Sequence, residues 1–240
     1  MDRKIRDDDP VMAEEAITAT AGLPVSGPPR PGKHVIRYNR KIAVMGYPCV
    51  GKSSITLRFV NGNFPEAYDT TIEDLHTKVY HFKGREYALR ITDTAGQQEY
   101  SIFPRSCSVD IDGFILVYAI DDRKSFEIIQ TIHDKIIESV GDRNVPVVVV
   151  GNKLDLQYSC RAVSREEGAA LAQSWGGQFV EISAKELSTI PLPSGPPTRG
   201  NKPPELVKVA DIFDRMLLLI EVAKGNINPN APPNKRCSIM

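Results

Sequence analysis

One octapeptide constrains this chain more than any other feature. Gly46-Tyr47-Pro48-Cys49-Val50-Gly51-Lys52-Ser53 fits the pattern G-x-x-x-x-G-K-[ST]. It follows Lys41-Ile42-Ala43-Val44-Met45, an apolar run that predicts a short buried strand. It precedes Lys52 to Val60, where Ile55, Phe59 and Val60 share one face of a predicted helix. Strand, glycine-bearing loop and helix in that order make a phosphate-binding loop. The glycines let the backbone curl until successive N–H groups point at phosphate oxygens, and the helix N-terminus adds partial positive charge. Lys52 then supplies a point charge to β- and γ-phosphates, and the Ser53 hydroxyl is a ligand for Mg²⁺.

The rest of the chain supplies a frame for that loop. His76 to Phe82 and Glu86 to Thr92 alternate around the turn Lys83-Gly84-Arg85 and predict a hairpin. Phe114 to Ile120 and Val145 to Val150 are continuous apolar runs of the kind a fully buried strand carries. Lys124 to Val140 predicts a helix with Phe126, Ile129, Ile132, Ile136 and Val140 on one stripe. Ser164, with Glu167 three residues on, starts another helix through a capping box. Gln178 to Ile182 is a last strand, and Glu205 to Lys224 a last helix stopped by Gly225. Strands alternating with helices imply right-handed βαβ units. The expected fold is therefore α/β: a P-loop domain over 39–224 with a six-stranded, mostly parallel sheet and helices on both faces. Residues 1–38 read as a flexible extension. A proline-dense insertion at 188–204 interrupts the domain, and 225–240 form a tail.

Composition excludes several classes. Lys plus Arg and Asp plus Glu number 30 each, so no global basic field exists to draw the chain onto nucleic acid. No apolar run approaches the roughly 18 residues that span a bilayer, and the acidic N-terminus lacks the apolar core of a signal peptide. Cys49, Cys107, Cys160 and Cys237 have no metal-ligand spacing and read as reduced cytosolic thiols. His34, His76, His81 and His133 are dispersed, and Trp175 reads as core packing.

Four further motifs carry chemistry. Asp93-Thr94-Ala95-Gly96-Gln97 ends a predicted strand: Asp93 can hold Mg²⁺ through water, Gly96 offers an N–H to a γ-phosphate, and Gln97 can orient an attacking water. Asn152-Lys153-Leu154-Asp155 follows a buried strand. Guanine presents N1–H and a 2-amino group side by side, two donors that match one carboxylate, whereas adenine would leave Asp155 unpaired. The Lys153 stem can cover the base, and Ser183-Ala184-Lys185 can give its oxygen a backbone donor. Phe64 to Glu73 contributes Thr71 as a second hydroxyl ligand and Phe64 as a ring against guanine. Cys237-Ser238-Ile239-Met240 is a C-a-a-X box whose terminal Met favours farnesyl.

With these motifs in this order, the chain resembles the Ras family of small GTPases across 39–187 and 205–224. Within it the Rheb subfamily is most similar, on Gln97-Gln98-Glu99-Tyr100-Ser101-Ile102-Phe103-Pro104, on Asp110 to Tyr118, and on a non-glycine at Pro48. The resemblance implies that Gly46, Cys49, Val50, Gly51, Lys52, Ser53, Ser54, Phe64, Tyr68, Thr71, Asp93, Gly96, Asn152, Lys153, Asp155, Ser183, Ala184 and Lys185 contact nucleotide. It implies Mg²⁺ on Ser53, Thr71 and Asp93, catalytic parts for Lys52, Thr71 and Gln97, and an effector loop of Tyr68, Asp69, Thr70, Thr71, Ile72, Glu73, Asp74, Leu75 and His76. In Rheb-like proteins the counterpart of Gln97 contributes little and that of Tyr68 shields the phosphate. GTP would order loops 64–76 and 93–105, and hydrolysis to GDP would release them.

The implied partners are the TOR kinase complex as effector, a tuberin-type GAP, farnesyltransferase and a prenyl-binding chaperone. The molecule is expected as a monomer on the cytoplasmic face of endomembranes, lysosome or plasma membrane, with a cytosolic pool. One farnesyl on Cys237 beside Lys235 and Arg236 gives marginal, reversible anchoring. Three features depart from the pattern: Pro48 where Ras carries Gly and Rheb carries Arg, Thr70 in place of the usual Pro, and the 188–204 insertion beside a longer N-terminal arm. They bear on GAP sensitivity and partner choice. Two alternatives to a hydrolysing switch stay open: a GTP-locked interaction scaffold, and another Ras-subfamily signalling GTPase.

Overall fold

A computed structural model describes residues 37–64, 71–185 and 207–228. The chain runs β1 (Arg37–Gly46), α1 (Lys52–Asn61), β2 (Glu73–Phe82), β3 (Arg85–Thr94), β4 (Gly113–Ala119), α2 (Arg123–Val140), β5 (Val147–Asn152), α3 (Arg165–Ser174), β6 (Gln178–Glu181) and α4 (Val209–Ala223). The six strands form one sheet in the order β2-β3-β1-β4-β5-β6. All neighbours pair in parallel except the β2–β3 hairpin, which makes the edge strand antiparallel as expected. From β1 the sheet grows in both directions, to β3 on one side and β4 on the other. The loop after β1 therefore opens at a topological switch point, where α/β sheets bind ligands.

Alternation along the strands sorts the core into two layers. Ile42 and Val44 pack with Ile55 and Phe59 of α1 and with Ile212, Phe213, Met216 and Ile220 of α4. Ala43 and Met45 pack with Phe126, Ile129, Ile132 and Ile136 of α2 and Ala172 of α3 on the opposite face. Phe59 stacks on Phe213 with ring centroids 3.6 Å apart. Trp175 takes the packing role expected of it, stacked on the buried His133 at 3.9 Å.

The caps follow the sequence. Ser164 and Glu167 form the capping box at α3, and the Asp122 carboxylate accepts from the Ser125 N–H at the start of α2. Strand ends differ from the apolar runs. β1 starts at Arg37 rather than Lys41 because β3 pairs it residue for residue from Arg37↔Glu86 onward, so the ladder outlasts the apolar pattern. β2 likewise starts at Glu73 against Thr94. α4 starts at Val209, with the Asp211 carboxylate accepting from the Lys208 N–H; Glu205 and Leu206, assigned above to this helix, lie outside the described residues. β1 also takes in Arg37 and Tyr38, which the sequence assigned to the N-terminal extension. Residues 1–36, 65–70, 186–206 and 229–240, among them the proline-dense insertion and Cys237, lie outside the described residues. Among the described residues no helix is long and apolar enough to cross a membrane.

Candidate nucleotide-binding site

The loop after β1 holds its shape by close approach. Gly46 has φ +154° and a Cβ there would sit 2.1 Å from the Val117 carbonyl oxygen. Gly51 has φ +92°, and its Cβ would meet the Asn152 amide nitrogen at 2.3 Å. No other residue fits either place. α1 then begins at Lys52 with no side-chain cap and no acidic residue in its first turn, so its leading N–H groups remain available to an anion. Lys52 is buried, its ammonium donating to the Tyr47 carbonyl at 3.0 Å. Burial lowers its pKa to about 8, against the pull of the Asp93 charge. A triphosphate tail would favour its charged form.

Three oxygen side chains converge beside it. Ser53 Oγ and Thr71 Oγ1 lie 2.8 Å apart. Asp93, at the end of β3, is 1% exposed, and neither carboxylate oxygen has a hydrogen-bond partner at normal geometry among the described residues. Burial pushes this carboxyl up, while the neighbouring Ser53 hydroxyl and Lys52 charge oppose the rise. A buried, unsatisfied carboxylate next to two hydroxyls fits a hard cation. Mg²⁺ commonly takes one or two protein ligands and completes its shell with water and phosphate, so the small donor set suits it.

The base end of the site is a cavity of about 330 Å³. The phosphate loop and α1 contribute Cys49, Gly51 and Ser54, and Phe64 comes from beyond α1. The segment after β5 contributes Asn152, Lys153 and Asp155, and the segment after β6 contributes Ser183, Ala184 and Lys185. Each was named from the sequence, and the fold brings all of them to one place. Ser183 Oγ donates to Asp155 Oδ1 at 2.5 Å and so fixes the carboxylate. Asn152 ties the walls together: its Nδ2 donates to the Val50 carbonyl at 2.7 Å, and its Oδ1 accepts from the Ala184 N–H at 3.0 Å. The Ala184 N–H is thereby engaged within the protein wall. Lys153 reaches Asp121 at 3.4 Å, which aligns its stem along the pocket.

The opposite end is built differently. The Ala95 N–H donates to the Ile72 carbonyl, joining the Thr71 segment to the Asp93–Gln97 segment. The Gln97 N–H donates to the Gly46 carbonyl at 2.9 Å, and its side chain is buried, donating to the Ala95 carbonyl at 3.3 Å. In this conformation the Gln97 side chain is turned inward. A Cβ on Gly96 would lie 2.5 Å from Pro48 Cα and Cγ, so the proline ring rests directly on that glycine. Ile72, Leu75, Tyr100 and Ile102 are exposed. Tyr68, Asp69 and Thr70 of the expected effector loop lie outside the described residues.

Sequence reading missed three residues. Asp121 pairs with Lys153, Arg58 donates to the Ala184 carbonyl, and Lys135 donates to the carbonyls of Glu99 and Ser101. Only Asp121 carried a signal, its place just beyond the C-terminal end of a buried strand, where such sheets gather functional groups.

The sequence model of the Ras family matches residues 41–191, more than half of the chain. GTP-binding protein Rheb homolog 1 of Caenorhabditis elegans is 50% identical over 196 residues, which is 82% of this chain and 85% of that protein. GTP-binding protein Rheb of Homo sapiens is 44% identical over 202 residues, covering 84% and 97% respectively. The Drosophila melanogaster homolog of Rheb is 45% identical over 187 residues, covering 78% and 92%.

Proposed function

The chain belongs to the Ras family as a Rheb-like small GTPase, and from that premise we propose how its residues divide the work of a GTP/GDP switch. Asp155, fixed by Ser183 in the 330 Å³ cavity, selects guanine by accepting from two adjacent donors of the base. This is the observation that carries the reading, because Asn152 physically joins that selective carboxylate's segment to the phosphate loop. Lys52 and the free N–H groups at the start of α1 hold the phosphates. Ser53, Thr71 and Asp93 would hold Mg²⁺, which when bound supplies charge neutralisation across the β- and γ-phosphates. Thr71 and the Gly96 N–H answer to the γ-phosphate, and its loss releases the segments that carry Ile72, Leu75, Tyr100 and Ile102.

Turnover is slow without a partner. No arginine reaches the phosphate position in cis among the contacts described, and Gln97 is folded inward. A GAP of the tuberin type supplies what is missing, and the GTP state engages the TOR kinase complex. Farnesylation at Cys237, through farnesyltransferase and a prenyl-binding chaperone, places the protein reversibly on the cytoplasmic face of endomembranes. These assignments rest on likeness to Rheb and on the C-a-a-X box. A Cys237→Ser variant should lose the membrane-bound fraction, and an unchanged fraction would reject the anchor.

The test of turnover is single-turnover hydrolysis of preloaded GTP with Mg²⁺, with and without GAP. A slow rate that GAP accelerates supports the switch. A second reading, a GTP-locked scaffold, is favoured by the Pro48 ring against Gly96, and a flat trace in both arms would establish it.

A further inference from the structure

Between Ala95 and Pro104 the chain forms neither helix nor strand, yet it is held in place. Lys135, half-buried on α2, donates through Nζ to the Glu99 carbonyl at 2.7 Å and to the Ser101 carbonyl at 2.9 Å. Ser101 in turn accepts the Gln98 N–H on its hydroxyl at 2.9 Å, and the Ser101 N–H donates to the Gln98 carbonyl at 3.1 Å. A continuous run of hydrogen bonds thus links an α2 lysine to the residue next to Gln97. Packing does not fix residues 100–102: Tyr100 and Ile102, flanking Ser101, are 90% and 91% exposed, and the segment's apolar anchor is Phe103, partly buried against the core.

We propose that Lys135 is a positioning residue that latches this loop in the conformation where Gln97 is buried against the Ala95 carbonyl. The proposal rests on the reading of the chain as a GTPase and adds a determinant of its rate. On this proposal the Gln97 side chain reaches a water at the γ-phosphate through a shift of residues 97–101. That shift breaks the two charge-assisted bonds from Lys135, which are stronger than neutral ones. The latch lies on a helix that contributes no residue to the nucleotide pocket. It therefore sets how often Gln97 is available without setting how tightly nucleotide is held, and a partner that draws Lys135 away would speed hydrolysis from outside the pocket.

The experiment is single-turnover GTP hydrolysis by the full chain with Mg²⁺, alongside the GDP dissociation rate. Lys135→Met should hydrolyse about tenfold faster than the parent, the effect of losing one to two such bonds, with GDP dissociation little changed. Adding Gln97→Leu should abolish that acceleration, and Lys135→Arg, which can still donate to both carbonyls, should restore the parent rate. Ser101→Ala, which cuts the next bond in the run, should accelerate in the same direction by a smaller factor and keeps the test usable should Lys135→Met fold poorly. Lys135→Met hydrolysing at the parent rate, or an acceleration that survives Gln97→Leu, would overturn the latch. A parent that loads no GTP would overturn the GTPase reading itself.

Discussion

The base end and the switch end of one pocket are built on opposite principles. At the base end the groups that shape the cavity are tied to one another: Asn152 bridges Val50 and Ala184, Ser183 holds Asp155, and Arg58 holds the Ala184 carbonyl. At the switch end, among the described residues, a buried aspartate has no partner at normal geometry, two hydroxyls pair with each other, and large apolar side chains face outward. A finished wall can select a base without rearranging. A wall short of partners takes its arrangement from whatever supplies them, which is the physical requirement for a switch. Stability and responsiveness are thus separated within one site.

Mutations can break or sharpen this contrast. The largest effect should come from Asn152→Ala, which leaves the Ala184 N–H and Val50 carbonyl unsatisfied. About 3 kcal/mol, or roughly a hundredfold faster GDP release, is expected from two buried hydrogen bonds, and stopped-flow displacement of a fluorescent GDP would measure it. Asp93→Asn should act in the opposite direction on the nucleotide-free protein. Removing an unpartnered buried charge should stabilise it by about 1–2 kcal/mol in thermal unfolding while Mg²⁺ ceases to slow nucleotide release. An Asp93→Asn protein that is less stable without ligand would show that the switch end is also prebuilt.

Ile72→Ser should change stability by less than about 0.5 kcal/mol, since the side chain is 85% exposed, yet reduce effector binding in a pull-down from the GTP state. The smallest effect lies away from the pocket and sets the acid baseline for such comparisons. The Ser164 backbone N–H, with Arg123, lowers the Glu167 carboxyl from its ordinary 4.5 to about 2. A carboxylate lowered on folding stabilises above its unfolded value, and that contribution is lost as pH falls from 4.5 toward 2. Glu167→Gln should therefore flatten this part of the acid-unfolding curve and leave neutral hydrolysis unchanged.

Legibility in the sequence divides along the same line. The phosphate loop, Asp93-Thr94-Ala95-Gly96 and Asn152-Lys153-Leu154-Asp155 were readable because each is a local backbone device whose glycine or carboxylate admits few substitutes. Gly46 and Gly51 show why: a Cβ at either would collide with Val117 or Asn152. The buried strands were readable as continuous apolar runs, and their alternation with helices implied a sheet covered on both faces. What was not readable depends on partners distant in the chain. The extra residues of β1 come from its ladder with β3, Asn152 turned out to brace a loop 102 residues away in sequence, and Lys135 meets Ser101 only because α2 packs beside it. The inward turn of Gln97 is another such case, since its N–H is fixed by Gly46 on a different strand.

The central claim is that a pre-arranged carboxylate chooses the purine while the neighbouring loop holds its phosphates. Its most direct test is competition for bound fluorescent GDP by GTP and ATP in Mg²⁺, in the parent and in Asp155→Ala. GTP should displace at a concentration at least about a hundredfold below ATP, the discrimination expected when the wrong base leaves a buried acceptor unpaired, and Asp155→Ala should erase the difference. Equal displacement by ATP in the parent, or a preference that survives Asp155→Ala, would contradict the account.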